Sequence, residues 1–387
     1  MATQEELIDL LRTGEDRHKY MNAVTPPVFL TSLHVFDTQE AYHDVDIYDD
    51  QFYYGRSGNP TVTILEKKIC ALEHGKKALV FSAGMAACAA AILSVCHSGS
   101  HVICLIDTYN PIYHILSEFL VPKMNLSVSY VENDLKAVEA AIRPETDLII
   151  IESPATLVFS VVDIRGIADL AKKHGIKTYM DNTYCTPLYQ KPLDMGIDIV
   201  MHTLTKYIGG HSDLLGGVLV SNDVEYMNQM MMQRDWFGAI LGPMEGWLAI
   251  RGLRTLDVRL RQHHETAMAV AEYLEKHQKI ERVFYTGLKS HPQYELARKQ
   301  QLGESGLMSF EVKGDPHKAV ELVNNLKVFE IGASWGGFES LATAATYYWS
   351  EEELEKHKLG RGIIRIHCGL EGKENLIQDL EQALEKI

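Results

Sequence analysis

The segment HTLTKYIGGHSD, His202 to Asp213, sets a single lysine at the end of an apolar run, behind two threonines and ahead of a Gly-Gly turn. Folding requires no lysine there. Lys206 is either a solvated side chain at a strand end, the usual place for lysine, or a nucleophile. Other strand ends carry side chains of comparable interest. Tyr109 follows HVICLID, Asp181 follows KTYM, and the glycine turn AGM (Ala83 to Met85) follows KALVFS and opens a helical pattern. Each has a plain structural alternative: packing for Tyr109, a turn cap for Asp181, and a small-residue helix start for AGM.

In open α/β sheets ligands bind at the carboxyl ends of the strands, so one pocket can collect all four features. The bare amides of Gly84 and Met85 at a helix N-terminus can seat an anion. A flat aromatic, a carboxylate and a lysine then complete what one cofactor needs. Pyridoxal phosphate requires a lysine for covalent attachment, an acid at its ring nitrogen, a phosphate seat and a surface against the ring. The acid matters for the electronics, because a protonated ring nitrogen makes the ring an electron acceptor.

The elements that must position these groups follow from periodicity. KALVFSAG, HVICLID, DLIIIESP, KTYMDNT, DIVMHTLTK and GGVLVSN are short, rich in β-branched residues and bounded by turn residues, which predicts strands. MAACAAAILSVCH, NPIYHILSEFLV, DLKAVEAAI and RGIADLAKKHG lie between them with helical spacing. Such alternation predicts a largely parallel sheet covered on both faces. A helical region from about Val224 to Lys279 follows, with one long helix pattern from about Met244. The last third reads as α+β, with GLMSFEV and IIRIHCGL as strands. The expected organisation is an N-terminal arm over 1–55 lying on a neighbouring subunit, a large cofactor-binding domain over 56–243, and a smaller C-terminal domain over 244–387.

Composition excludes several functions. The 387 residues have an ordinary globular makeup, with 46% hydrophobic residues. A formal net charge of −15 argues against a nucleic-acid binder, which needs a concentrated basic surface. No uninterrupted apolar run reaches membrane-spanning length, and the charged, amphipathic start MATQEELIDLLRTGEDRHKY lacks the core of a signal peptide. A cytoplasmic protein is expected. The six scattered cysteines include no CxxC pair and predict free thiols. His263 and His264 are adjacent on a helix pattern, about 100° apart, and make a poor chelate; no metal site is expected.

The motifs YGRSGNPT (Tyr54 to Thr61), SAGMAA (Ser82 to Ala87), DNT, TLTKYIGGHSD, SWGGFES (Ser334 to Ser340) and IRIHCGLE (Ile364 to Glu371) occur in this order. Together they resemble the cysteine and methionine metabolism family of pyridoxal-phosphate enzymes over nearly the whole chain. The resemblance implies the type I fold of such enzymes, like that of aspartate aminotransferase. It implies that Lys206 holds the cofactor and moves protons, that Asp181 pairs with the ring nitrogen, and that Tyr109 stacks on the ring. Phosphate contacts fall to Gly84, Met85, Thr203 and Thr205, and, from a neighbouring subunit, to Tyr54 and Arg56. That sharing implies an obligate oligomer, typically a homotetramer. Arg365 resembles the arginine that holds the substrate α-carboxylate, a task suited to its two-pronged geometry, with Ser334 and Trp335 in the segment beside it. The chain departs from the family after Tyr109, where DTYNPI replaces D-x-Y-G-G-T, and Cys185 gains no role.

Two further departures bear on the reaction. Members acting at the γ carbon commonly show E-[ST]-P-x-N-P where this chain has ESPATLVF, and glutamate where this chain has Ala333. SWGGFES and RGLRTLDVRLRQHHE resemble the bacterial cystathionine β-lyases. The expectation is β-cleavage of L-cystathionine to L-homocysteine, pyruvate and ammonia, with Tyr54 or Tyr109 assisting proton handling. The alternatives are a γ-acting member of the same family and a cofactor-binding module without turnover. A dinucleotide-dependent oxidoreductase lacks support, since no G-x-G-x-x-G follows the first strand.

Overall fold

A computed structural model describes residues 2–387. Seven strands form the larger sheet: β1 (Lys77–Phe81), β2 (His101–Leu105), β3 (Ser127–Val131), β4 (Thr146–Glu152), β5 (Lys177–Asp181), β6 (Ile199–Thr203) and β7 (Gly217–Ser221). Their spatial order is β1-β7-β6-β5-β4-β2-β3. From β6 to β3 every pairing is parallel, while β7 runs antiparallel to both β6 and β1. Expectation and structure agree on the six patterned strands. β3, with the sequence SVSYV, escaped because it sits at the sheet edge and is only half-buried, so its apolar signal is diluted.

Side chains alternate between the two faces, as strands dictate. Val80, Ile149, Ile151, Met180 and Val200 enter one core with the helices Pro60–Leu72, Ile164–His174 and Pro243–Leu253. Leu79, Phe81, Val102, Ile150 and Tyr179 enter a second core under the helices Gly84–Val95 and Val224–Phe237.

The smaller sheet contains β8 (Ile280–Phe284), β9 (Leu307–Val312), β10 (Glu330–Ile331), β11 (Leu341–Ala344) and β12 (Ile363–His367), ordered β10-β11-β12-β9-β8. It packs under the helices Leu256–Lys276, His317–Asn325 and Lys373–Leu384 in a third core. The long helix pattern expected from Met244 is broken into two, Pro243–Leu253 and Leu256–Lys276. Gly252, at the break, lies against the carbonyls of Ile208 and Gly209, where no side chain fits. The second helix bridges the domains: Leu256 and Leu260 join the first core, whereas Ala267, Val270 and Leu274 join the third. Packing therefore passes from the first core to the third within this helix.

The N-terminal arm is not extended throughout. A capping box of Thr3 and Glu6 starts the helix Gln4–Arg12, which buries Leu10 against the helix Pro60–Leu72. Glu15 accepts from buried Lys68 at 2.9 Å and Glu6 from Lys191 at 2.6 Å, fixing the helix to the large domain. Farther along, the arm leaves apolar side chains in the open, with Met21 96% and Val35 87% exposed.

Candidate active site

Strand register gathers the site. Glu152 pairs with Asp181, Asp181 with Met201, and Thr203 with Gly217, which faces Phe81. The ends of β4, β5, β6 and β1 thus form one row along the carboxyl edge. Because β7 returns antiparallel, the segment between β6 and β7 needs no crossover helix and turns directly over that edge. Lys206 lies in this turn, within Leu204–Ile208, where its backbone (φ −96°, ψ −129°) interrupts the helical conformation.

The lysine Nζ donates to Ser334 Oγ at 2.7 Å and lies 5.2 Å from the Trp335 ring centre. Burial, and then the charge of Arg365, pull its ammonium down to about 8, against the opposing pull of Asp181 and Glu339. Neutral amine is therefore available near pH 8, which an exposed lysine would not offer. Asp181 accepts the backbone N–H of Thr183 at 2.9 Å. Burial raises its carboxyl above the usual range, while Thr183, His202 and Lys206 oppose the rise.

Ala83 starts the helix Gly84–Val95 with no side-chain cap, leaving its first amides free. A Cβ on Gly84 would stand 3.1 Å from Thr203 Oγ1, tighter than an ordinary contact, so glycine lets helix start and strand end meet without displacing the threonine. The two threonines are not equivalent. Thr203 Oγ1 donates to the Gly216 carbonyl at 2.9 Å, whereas Thr205 Oγ1 accepts the Gly216 N–H at 3.2 Å. The hydroxyl proton of Thr205 is thus free to point at an anion. Ser82 joins Thr205 and Ser334 in lining a cavity of about 700 Å³.

Tyr109 is 53% exposed at the start of the short helix Asn110–His114. The Asn-Pro departure opens this helix, with proline at the first turn, where its missing N–H costs nothing. Glu152 accepts the Tyr109 N–H at 2.7 Å through one oxygen and is bonded by Thr156 through the other. Burial, and then the charge of Asp181, push the Glu152 carboxyl upward. Glu152 and Thr156 were not among the expected site residues, although the ESPATLVF departure falls on them. The signal was present, since DLIIIE ends an apolar strand on a charge as KTYMD does.

The small domain contributes the opposite wall. Ser334 and Trp335 lie in the loop between β10 and β11, and Arg365 sits on β12, donating to the Ala333 carbonyl at 3.2 Å. Tyr109, Thr156, Ala333 and Arg365 line a second cavity of about 620 Å³, which runs out to Trp349 and Lys356. Tyr54 and Arg56, like Lys206 and Asp181, are not among the residues lining these two cavities. Arg56 instead pairs with Asp235 at 2.8 Å and lies over the Tyr54 ring.

Other candidates fall elsewhere. His263 is buried and bonds the Cys368 carbonyl, while His264 turns to Glu304. Cys185 is buried, and burial raises its thiol far from reactivity.

The buried acid, the lysine, the uncapped helix start and the glycine cradle together fit pyridoxal phosphate. Residues 9–385 match the sequence profile of the Cys/Met metabolism PLP-dependent enzymes. The chain belongs to this family. An L-methionine gamma-lyase of Fusobacterium nucleatum subsp. polymorphum is 36% identical, with 93% of each chain covered. The cystathionine beta-lyase MetC of Bacillus subtilis is 37% identical over 90% of this chain and 89% of that one. The cystathionine gamma-lyase of Homo sapiens is 37% identical over 97% of this chain and 92% of its own. The crystal structure of metB from Corynebacterium glutamicum superposes with a TM-score of 0.93 at 30% identity, covering 99% of this chain and 98% of that one. As a member of this family the protein is an enzyme with pyridoxal 5′-phosphate as its cofactor.

Proposed function

We propose that the chain is a carbon–sulfur lyase acting at the β carbon, with L-cystathionine as substrate and L-homocysteine, pyruvate and ammonia as products. The observation carrying the β assignment is Ala333, which lines the cleft beside Arg365 and Tyr109. β-Elimination needs one proton taken from Cα and then loss of the thiolate. γ-Chemistry also needs a proton taken from Cβ, and Ala333 puts a methyl where the γ-type pattern has a carboxylate. Thr156, in place of the Asn of that pattern, supports the same reading.

The bound cofactor supplies an electron sink that makes the substrate Cα proton acidic. Lys206 would hold the cofactor, and its amine, oriented by Ser334, would take that proton. Arg365 holds the α-carboxylate in two-pronged fashion. Asp181 would favour the protonated ring nitrogen, and Tyr109 would lie against the ring and hand a proton to the departing sulfur. Gly84, Met85 and Thr205 would donate to the phosphate, and Thr203 braces the turn that carries Thr205. Tyr54 and Arg56 serve the site of a neighbouring copy, which makes the functional unit a homo-oligomer, a homotetramer in the cytoplasm. Trp335 shapes the substrate side of Lys206.

The test is to incubate the cofactor-loaded enzyme with L-cystathionine and identify the keto acid. Pyruvate with homocysteine supports the assignment; 2-oxobutyrate with cysteine overturns it. A γ-acting enzyme is the second reading, favoured by relatives named for γ-cleavage at similar identity.

A further inference from the structure

Behind Lys206 lies a buried cluster that the chemistry above leaves unused, Tyr207, His367 and His263, with the half-buried Trp335 on its active-site side. Neighbouring ring centres are 5.5 Å apart for Trp335 and Tyr207, 5.7 Å for Tyr207 and His367, and 5.1 Å for His367 and His263. His367 is 1% exposed and has a polar partner on each ring nitrogen. Its Nε2 is 3.2 Å from the Gly337 carbonyl, and its Nδ1 is 3.5 Å from the Tyr207 hydroxyl. A carbonyl only accepts, so Nε2 carries the proton. Nδ1 then accepts from Tyr207, whose hydroxyl oxygen already takes the Gly306 N–H at 2.8 Å. Burial, and then His263, Lys206 and Arg365, depress the imidazolium form of His367 well below its ordinary range, which is consistent with this single tautomer.

The two groups that His367 joins are the two sides of the Lys206 contact. Gly337 belongs to the loop that carries Ser334, and Tyr207 is the residue after Lys206. Gly336, at φ +84°, presses this loop on the lysine itself, since a Cβ there would stand 3.0 Å from Lys206 Cα and 2.8 Å from the Tyr207 nitrogen. Arg259 holds the Tyr207 carbonyl from the far side at 2.7 Å.

We propose that His367 is a positioning residue, a buried clamp that ties the Ser334–Gly337 loop to the side chain of Tyr207, the residue after Lys206, and so sets the Lys206–Ser334 contact. Releasing the clamp lets the loop lift, admits water to Nζ and relieves the burial that lowers the lysine. The proposal concerns the setting of Lys206 and is independent of which carbon of the substrate is attacked, so the keto-acid assay and the test below fail separately.

The test follows acetylation of the Lys206 peptide by mass spectrometry across pH in cofactor-free protein, for wild type, His367→Met and His367→Gln. Methionine keeps bulk and loses the Nε2 donor, while the glutamine amide can replace it. The wild-type half-reactivity point is expected near pH 8. H367M should move it upward toward that of an ordinary lysine, and H367Q should return it toward wild type. In loaded enzyme H367M should lower kcat more than it raises KM. A folded H367M with the wild-type acetylation profile overturns the proposal, as does an equal shift in H367Q. Should H367M fail to fold, Tyr207→Phe carries the test: an upward shift supports the clamp and an unchanged profile overturns it.

Discussion

At the scale of single residues, everything turns on how Lys206 is made reactive. Burial and the Arg365 charge act in the same direction on it, and both favour the neutral amine. Attachment of the cofactor consumes that neutral form. Its rate, followed by absorbance, is expected to rise with pH and level off above about 8. Arg365→Gln removes a positive charge that disfavours the ammonium, so the midpoint should move up; a midpoint unchanged or lowered would contradict the charge assignment. Lys206→Ala should fold, lack the absorption band of lysine-bound cofactor, and lose turnover by at least about 10²–10⁴-fold, the range for removing a positioned proton carrier. Borohydride reduction of wild type should leave cofactor mass on the Lys206 peptide. Label on any other lysine, or a full band in K206A, would sink the assignment.

At the scale of elements, the site depends on close approaches made at glycine positions. Gly84 lets a helix start meet the end of β6, and Gly336 lets the small-domain loop touch the lysine backbone. Gly336→Ala faces both a steric conflict and a positive φ, at a cost of about 1–3 kcal/mol. Because the loop carries Ser334, kcat should fall by up to about 10²-fold, the effect of an ångström-scale misplacement. Thermal melting and steady-state kinetics on the same preparation check this. Near-wild-type kinetics in G336A would show that the loop contact does not govern catalysis. Alanine at Gly99, whose Cβ would meet nothing within 4 Å, is the control for the φ effect alone, since its φ is +92°.

At the scale of the whole molecule, the two domains meet at the site, with Lys206 and Asp181 from one and Ser334 and Arg365 from the other. Arg56 is held by Asp235 and lies over the exposed Tyr54 ring, and the nearby arm exposes Met21, Val24 and Val35. If these residues complete a neighbour's site, two variants that are each nearly inactive should rescue one another. Arg56→Ala and Lys206→Ala, mixed, dissociated and reassembled, should regain activity that neither shows alone, since some sites then combine an intact Lys206 with an intact Arg56. Recovery no greater than the sum of the separate activities would confine both residues to one chain's site. Size-exclusion chromatography with light scattering measures the assembly directly.

Much of this protein was legible before any coordinates. Short β-branched runs between helical segments marked the parallel sheet, because strands buried on both faces keep a strong apolar signal. The rule that ligands sit at strand ends placed Lys206, Asp181 and Tyr109 together, and the motifs supplied the family. Edge strand β3 was missed because half-exposure blurs its pattern, and the break at Arg254–Thr255 because periodicity continues across it. Other features belong to the tertiary structure alone. Glu152 gained its place only when β4 was set beside β5, and the Thr203 and Thr205 hydroxyls were distinguished only by their opposite bonds to Gly216. The contact of Lys206 with Ser334, and the histidine behind it, join residues far apart in the chain. Local pattern records which face a side chain takes, while a distance between two domains is decided by how they pack.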